Sequence, residues 1–338
     1  MISNQAIVEY NALKQNAGVQ AELEDFFFKT DTYRTFRSRL YSVLEAREQR
    51  LKRGLTEQKG GAIIGPSGSG KSRMVKEAIH DFQELAEATG GREFGHRVVS
   101  VVVPGRATPN ETAKAILRRL DYSISNARDD DYLFERVKVL MKQQRVAGLH
   151  LDEVQDAGRY ETGEAMSRFA KRFRNMTQDD EWPVCLFLSA TLHGREFINH
   201  DHTLTRRLRP IEIRPISLAT DGRLLREAVG TLLEKSQAAD NTGLMQNDEF
   251  IQVLMHAAAY RFGLAIEITI EAIGEALFDG VKDLDLDHFA GAYFTRTGCD
   301  DDMNPFITQY WRGIDTTKAL DSSHNKEPDP PKKGRRKK

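Results

Sequence analysis

Cysteine is almost absent: two residues in 338, Cys185 in a strand-like run and Cys299 in an acidic loop. Two thiols so placed give no disulfide framework and no zinc site, and both are read as reduced. No apolar run approaches the ~20 residues that span a bilayer. The opening MISNQAIVEYNALKQ lacks the basic and apolar regions of a signal peptide. The expectation is a cytoplasmic protein with no membrane partner. An excess of one charge is also missing, because 49 Lys and Arg against 50 Asp and Glu leave a net charge of -1. That excludes a uniformly basic nucleic-acid binder. The last seven residues, KKGRRKK, nevertheless carry six positive charges, so contact with DNA must come from a local patch or from this tail. No fixed-period repeat is present. What remains is ordinary globular material, 40% hydrophobic and 29% charged, long enough for one large domain or two smaller ones.

Apolar residues Phe36, Leu40, Val43, Leu44 and Leu51 recur at helical spacing, predicting an amphipathic helix over 35–51. The preceding EDFFFKTDTY holds three phenylalanines that need burial. After the break KRGLTEQKGG, strand-like runs at 61–65, 96–104, 146–153 and 183–191 alternate with helical stretches, and a short fifth run follows at 210–216. Near-continuous apolar strands separated by helices predict an α/β fold with a parallel sheet covered on both faces. Beyond Ser217 only helices are expected, over 221–238, 247–260, 264–279 and 286–295. The proline-bearing end from about Asp321 reads as disordered.

The first strand runs into GPSGSGKS, which fits G-x-x-x-x-G-K-[ST] in full. Gly65, Pro66, Ser67, Gly68, Ser69 and Gly70 let the main chain curl so that its N–H groups point at phosphate oxygens. The helix opening near Lys71 adds its positive end. Lys71 is expected to reach the β and γ phosphates and Ser72 to ligate Mg²⁺. The third strand ends in Asp152 and Glu153. Asp152 is the candidate metal anchor through water, and Glu153 is placed to polarise an attacking water. A polar side chain at the tip of the fourth strand, Ser189 or Thr191, would lie between those carboxylates and the γ phosphate; helix capping is the alternative. Arg206, Arg207 and Arg209 cluster before the fifth strand, where an arginine reaching a neighbouring subunit would stabilise transition-state charge. A solvated basic turn would look the same.

In this order, phosphate loop, acidic strand tip, polar tip residue, arginine cluster and helical end, the chain resembles an AAA+ ATPase. Within that superfamily IIGPSGSGKS, VVVPGRATPNETAKAILRRLDY, HLDEVQDA, TRRLRPIEI and CDDDMNPFITQYWRGID resemble the TniB/TnsC transposition regulators, over roughly 20–315. The resemblance implies ATP and Mg²⁺ as cofactors and a homo-oligomer, ring or helical filament, on duplex DNA. It also implies a link between a target-selecting protein and a transposase, with hydrolysis timing disassembly. Arg106, Thr108 and Lys114, after the second strand, are the DNA-binding candidates by position. The implied organisation is an N-terminal extension over 1–54, a nucleotide-binding core over 55–217, a small all-helical lid over 218–297 and a C-terminal segment with a basic tail over 298–338.

One departure stands out. Where many AAA+ lids place a phosphate-sensing arginine, FGLAIEI has Ile266; Arg261 is the nearby substitute. A second basic stretch, with Arg168, Lys171 and Arg172 on one helical face, reads as either a contact surface or a solvated face. The rival functions are a DNA helicase or other DNA-remodelling motor, because DEVQ and LSAT resemble helicase motifs, and a nucleotide-gated DNA scaffold with little turnover.

Overall fold

A computed structural model of the chain describes residues 4–105, 108–124, 128–156 and 163–317. The chain divides into two compact units, Lys29–Arg214 and the described residues of Met1–Phe28 and Pro215–Lys338. The first helix, α1 (Asn4–Asp25), belongs to the second of these.

The sheet unit opens with α2 (Asp31–Leu51). Its N-cap is Thr30, whose hydroxyl accepts the Tyr33 N–H at 3.2 Å. Tyr33, Phe36, Leu40 and Leu44 form its buried stripe, and the Tyr33 phenol donates to Asp81 at 2.7 Å. Then come β1 (Gly60–Ile64), α3 (Lys71–Ala88), β2 (Arg97–Val102), α4 (Pro109–Arg119), α5 (Asp130–Gln143), β3 (Val146–Asp152), α6 (Gly163–Met176) and β4 (Cys185–Ala190). Two short helices, α7 (Gly194–Asn199) and α8 (His202–Arg207), lead into β5 (Leu208–Glu212).

The five strands are all parallel, in the order β2-β3-β4-β1-β5. β3 and β4 are buried along their whole length, as expected of central strands covered on both faces. Successive side chains alternate between two cores. Ala62, Ile64, Val99, Val101, Leu149, Leu151, Leu186 and Leu188 join a cluster with apolar residues of α4, α5 and α6. On the other face the missing Cβ of Gly148 leaves room for Leu44 of α2, Val98 and Phe187, and Cys185 Sγ lies 3.8 Å from the Val43 carbonyl of α2. Both cysteines are free and buried, and burial pushes the Cys185 thiol up to about 12.

The helical unit contains α1 with α9 (Leu218–Ser236), α10 (Asp248–Ala257), α11 (Phe262–Phe278) and α12 (Leu286–Thr297). Asn16 of α1 donates to the Leu277 carbonyl at 2.9 Å, and Gly274 leaves the space that the Gln20 side chain fills. Phe26, Phe27 and Phe28 are half-buried rather than sealed in a core; Phe28 meets Phe262 edge-on. Phe306 and Trp311 are buried in this same unit, so the described residues after α12 are part of it. Among the described residues no single helix is long and apolar enough to cross a membrane.

Two glycine substitutions test this account. At Gly60 a Cβ would land on the Leu186 carbonyl oxygen of the neighbouring strand, so Gly60→Ala is expected to destabilise the sheet unit by about 1–3 kcal/mol. Gly230 sits in α9 with nothing within 4 Å of its missing Cβ, so Gly230→Ala is expected to gain about 0.5–1 kcal/mol. Urea midpoints at unchanged slope check both.

Candidate nucleotide site

The segment Gly65–Ser72 joins β1 to α3 and curls around one carbonyl. Ser69 donates to Pro66 O from its N–H at 3.3 Å and its hydroxyl at 2.7 Å, and Lys71 Nζ donates to the same oxygen at 2.8 Å. The curl needs glycine twice in the left-handed region, Gly68 at φ 76° and Gly70 at φ 85°. Gly65 is needed for closeness, since a Cβ there would stand 2.9 Å from Ile213 Cβ. Gly70 is the N-cap of α3 and supplies no side-chain cap, so the first-turn N–H groups of an 18-residue helix point into the loop with only main chain before them. Lys71, 4% exposed, brings its ammonium to the same place. Main-chain N–H groups, a helix N-terminus and a lysine together make a cradle for a polyphosphate. Ser72 lies one residue into the helix, half-buried.

Because β4 lies between β1 and β3, its tip stands between the loop and the acidic pair. Asp152, 3% exposed, ends β3; its Oδ1 accepts the Ser189 hydroxyl and the Glu153 N–H at 3.0 Å. Glu153 holds φ 59°, a left-handed backbone on a non-glycine residue, a strain of order 1–3 kcal/mol of the kind that collects at functional sites. Gln155 clamps this turn: its amide donates to Glu153 Oε2 and its carbonyl oxygen accepts the Thr191 N–H at 2.9 Å. The two tip candidates therefore differ. Ser189 is fully buried with its proton on Asp152, whereas Thr191 Oγ1 has no hydrogen-bond partner among the described residues.

Sequence reasoning missed Gln155 and His150. The imidazole of His150 is fully buried on the α2–α3 side of the sheet, between Ser100 Oγ at 2.8 Å and Ser189 Oγ at 2.9 Å. Burial holds it well below the ordinary histidine range and hence neutral; Asp152 opposes this and Lys76 adds to it. The available signal was a single polar residue inside an otherwise apolar central strand.

Comparison with known proteins bears on the domain and the fold. Residues 53–196 match the family described as AAA domain. The chain carries an AAA-type P-loop ATPase domain. Its fold is similar to that of the ORC2 protein of Aeropyrum pernix, solved as ADPNP-ADP complexes, with TM-score 0.59 and 14% identity over 80% of this chain and 70% of that one. It is also similar to the ORC1 protein of Aeropyrum pernix in complex with DNA, with TM-score 0.53 and 16% identity over 77% of this chain and 66% of that one. No curated protein matches the chain.

An AAA domain acts on nucleotide, usually with magnesium, and the donors here fit that ion. Among the described residues no three His, Cys, Asp or Glu side chains form a metal cage. One oriented carboxylate, Asp152, and one hydroxyl, Ser72, suit a hard cation that keeps most of its ligands as water and phosphate.

The remaining candidates lie elsewhere on the domain. Leu208 pairs with Gly60 and Glu212 with Ile64, so Arg206 sits where β1 begins while the phosphate loop leaves where β1 ends. Five residues at ~3.3 Å each separate those ends by roughly 17 Å, beyond the reach of an arginine. Arg206 and Arg209 are exposed, but Arg207 is 6% exposed, donating to Thr177 Oγ1 at 3.1 Å and paired with Glu57. Its bonds hold the start of β5, which is not the posture of a side chain offered to a neighbour. Thr108 is the N-cap of α4 in a reciprocal box with Glu111, and Lys114 lies half-buried further along that helix. Arg106 lies outside the described residues, as do residues 318–338 with the basic tail. Arg172 is tied to Asp131 at 2.5 Å, and Lys171 is exposed. In the helical unit Ile266 is buried and Arg261 is the N-cap residue of α11.

The contrast between adjacent arginines is testable by thermal unfolding. Arg207→Ala is expected to lower stability by about 1–3 kcal/mol, since Thr177 loses a buried partner. Arg206→Ala is expected to stay within about 0.5 kcal/mol of the wild type.

Proposed function

We propose that this chain is an ATP-dependent regulator of DNA transposition. It assembles as a ring or helical filament on duplex DNA and links a target-selecting protein to a transposase, and hydrolysis times its disassembly. The observation that carries the assembly is the exposed Arg206 at the end of the sheet away from the chain's own phosphate loop. Within the proposed assembly it meets a phosphate held by another copy, so a complete site has two chains. The DNA partner is supported by likeness to the ORC1 protein, which was solved with DNA, and by the resemblance to transposition regulators.

Within the site, Lys71 and the loop N–H groups hold the β and γ phosphates. Ser72 and Asp152 hold Mg²⁺, which when bound neutralises charge on the phosphoryl oxygens. Glu153 takes the proton of the attacking water, and Thr191 offers its hydroxyl toward the γ phosphate. Arg206 from a neighbouring copy stabilises the charge that develops on transfer. Arg106, Thr108 and Lys114 bind the DNA backbone, where contact needs only a cation or a hydroxyl near phosphate.

A scaffold with little turnover is the second reading, favoured by one observation. Gln155 holds the Glu153 carboxylate, so the base is engaged before any water reaches it. The helicase reading has less support, because after Ser217 the described residues form helices and no second sheet.

The variants separate binding from chemistry. Lys71→Ala is expected to lose measurable ATP binding in a fluorescence titration; unchanged affinity removes the lysine from the site. Glu153→Gln is expected to bind ATP and form assemblies on duplex DNA visible by electron microscopy while hydrolysing about 10²–10⁴-fold more slowly. Turnover equal to the wild type removes Glu153 from the reaction.

A further inference from the structure

Ser100, His150 and Ser189 occupy three neighbouring strands and the same face of the sheet. Ser100 and His150 are register partners on β2 and β3, and Ser189 lies two residues beyond Phe187, the β4 partner of His150. They form one line of hydrogen bonds that ends on Asp152.

The direction of that line follows from proton counting. A carboxylate only accepts, so the single proton of the Ser189 hydroxyl lies toward Asp152 Oδ1. Ser189 Oγ must then accept from His150, which puts a hydrogen on Nε2. In a neutral imidazole the other nitrogen is bare, and Nδ1 accepts from the Ser100 hydroxyl. Each donor has one acceptor, and reversing any link leaves two protons, or none, between a pair of atoms. Both hydrogen bonds to the Asp152 side chain among the described residues fall on Oδ1, from Ser189 and from the Glu153 main chain. Two donors on one oxygen fix the rotation of the carboxylate and leave Oδ2 outside this line of bonds.

We propose that His150 is a positioning residue for magnesium: through its Nε2–H it holds the Ser189 hydroxyl on Asp152, so that the carboxylate is already set in the rotation that binding Mg²⁺ with nucleotide requires. The inference rests on the reading of Asp152 as the metal anchor. It assigns a task to a buried histidine that touches neither phosphate nor metal, and it makes Ser189 part of the anchor, leaving Thr191 as the tip residue offered to the γ phosphate.

Two measurements test it. In metal-free wild-type protein, ¹⁵N NMR of labelled histidine is expected to show a hydrogen on His150 Nε2; the tautomer with Nε2 bare overturns the relay whatever the nucleotide does. The second compares ADP affinity with Mg²⁺ and with EDTA in a variant cycle. His150→Phe is expected to lower the Mg²⁺-dependent gain about tenfold, in line with outer-shell substitutions at metal sites. Ser189→Ala is expected to do the same, and the double variant to lose no more than either alone. His150→Gln, whose amide nitrogen reaches the place of Nε2, is expected to retain the gain within about twofold, and His150→Asn, too short to reach Ser189, to lose it. Additive losses, or equal losses in the Gln and Asn variants, reduce His150 to core packing and overturn the proposal. If wild-type ADP binding shows no Mg²⁺ dependence, the metal-anchor reading fails instead, and the NMR result still judges the relay by itself.

Discussion

The curl of main chain around the Pro66 carbonyl is the constraint on which the rest of the site depends. It brings a buried ammonium, the uncapped start of α3 and two left-handed glycines to the carboxyl end of β1. Without it the N–H groups would face solvent individually and the acidic strand tip would have nothing to act on. The parallel sheet then supplies the second half. With β4 inserted between β1 and β3, the loop, the polar strand tip and the two carboxylates stand side by side along one edge, where α/β sheets place their ligands.

The groups of that edge are held by one another more than by solvent. Gln155 ties Glu153 to the main chain of Thr191, and the serine–histidine–serine line ties Asp152 to the interior of three strands. A buried polar network of this kind is stable only when every member is paired, which gives the carboxylates little freedom to wander. The opposite end of the sheet has another character. There Arg207 is absorbed into the packing at the start of β5 while Arg206 remains outside.

Much of this was legible in the sequence because the relevant signals are local. The apolar runs located all five strands to within a few residues, and GPSGSGKS defined the loop, since its glycines are demanded by left-handed backbone at Gly68 and Gly70. What was not legible depends on tertiary placement. Strand order cannot be read from crossovers, so the position of β4 beside β1 appears only in the fold. Arg206 and Arg207 are neighbours of identical chemistry, separated only by which one Glu57 and Thr177 cover. The helix α1 shows no strong stripe, as Leu23 is its one fully covered apolar residue among those with described side chains, and it packs with helices that begin about 200 residues later. His150 looked like a strand residue of no account until its partners on β2 and β4 were in place.

The central claim is that the loop grips a magnesium-bound polyphosphate. Isothermal calorimetry of the full chain with ATP tests it most directly. The account predicts saturable heat at one nucleotide per chain with Mg²⁺ present and weaker binding in EDTA. Absence of heat under both conditions, at chain and nucleotide concentrations well into the micromolar range, would contradict it.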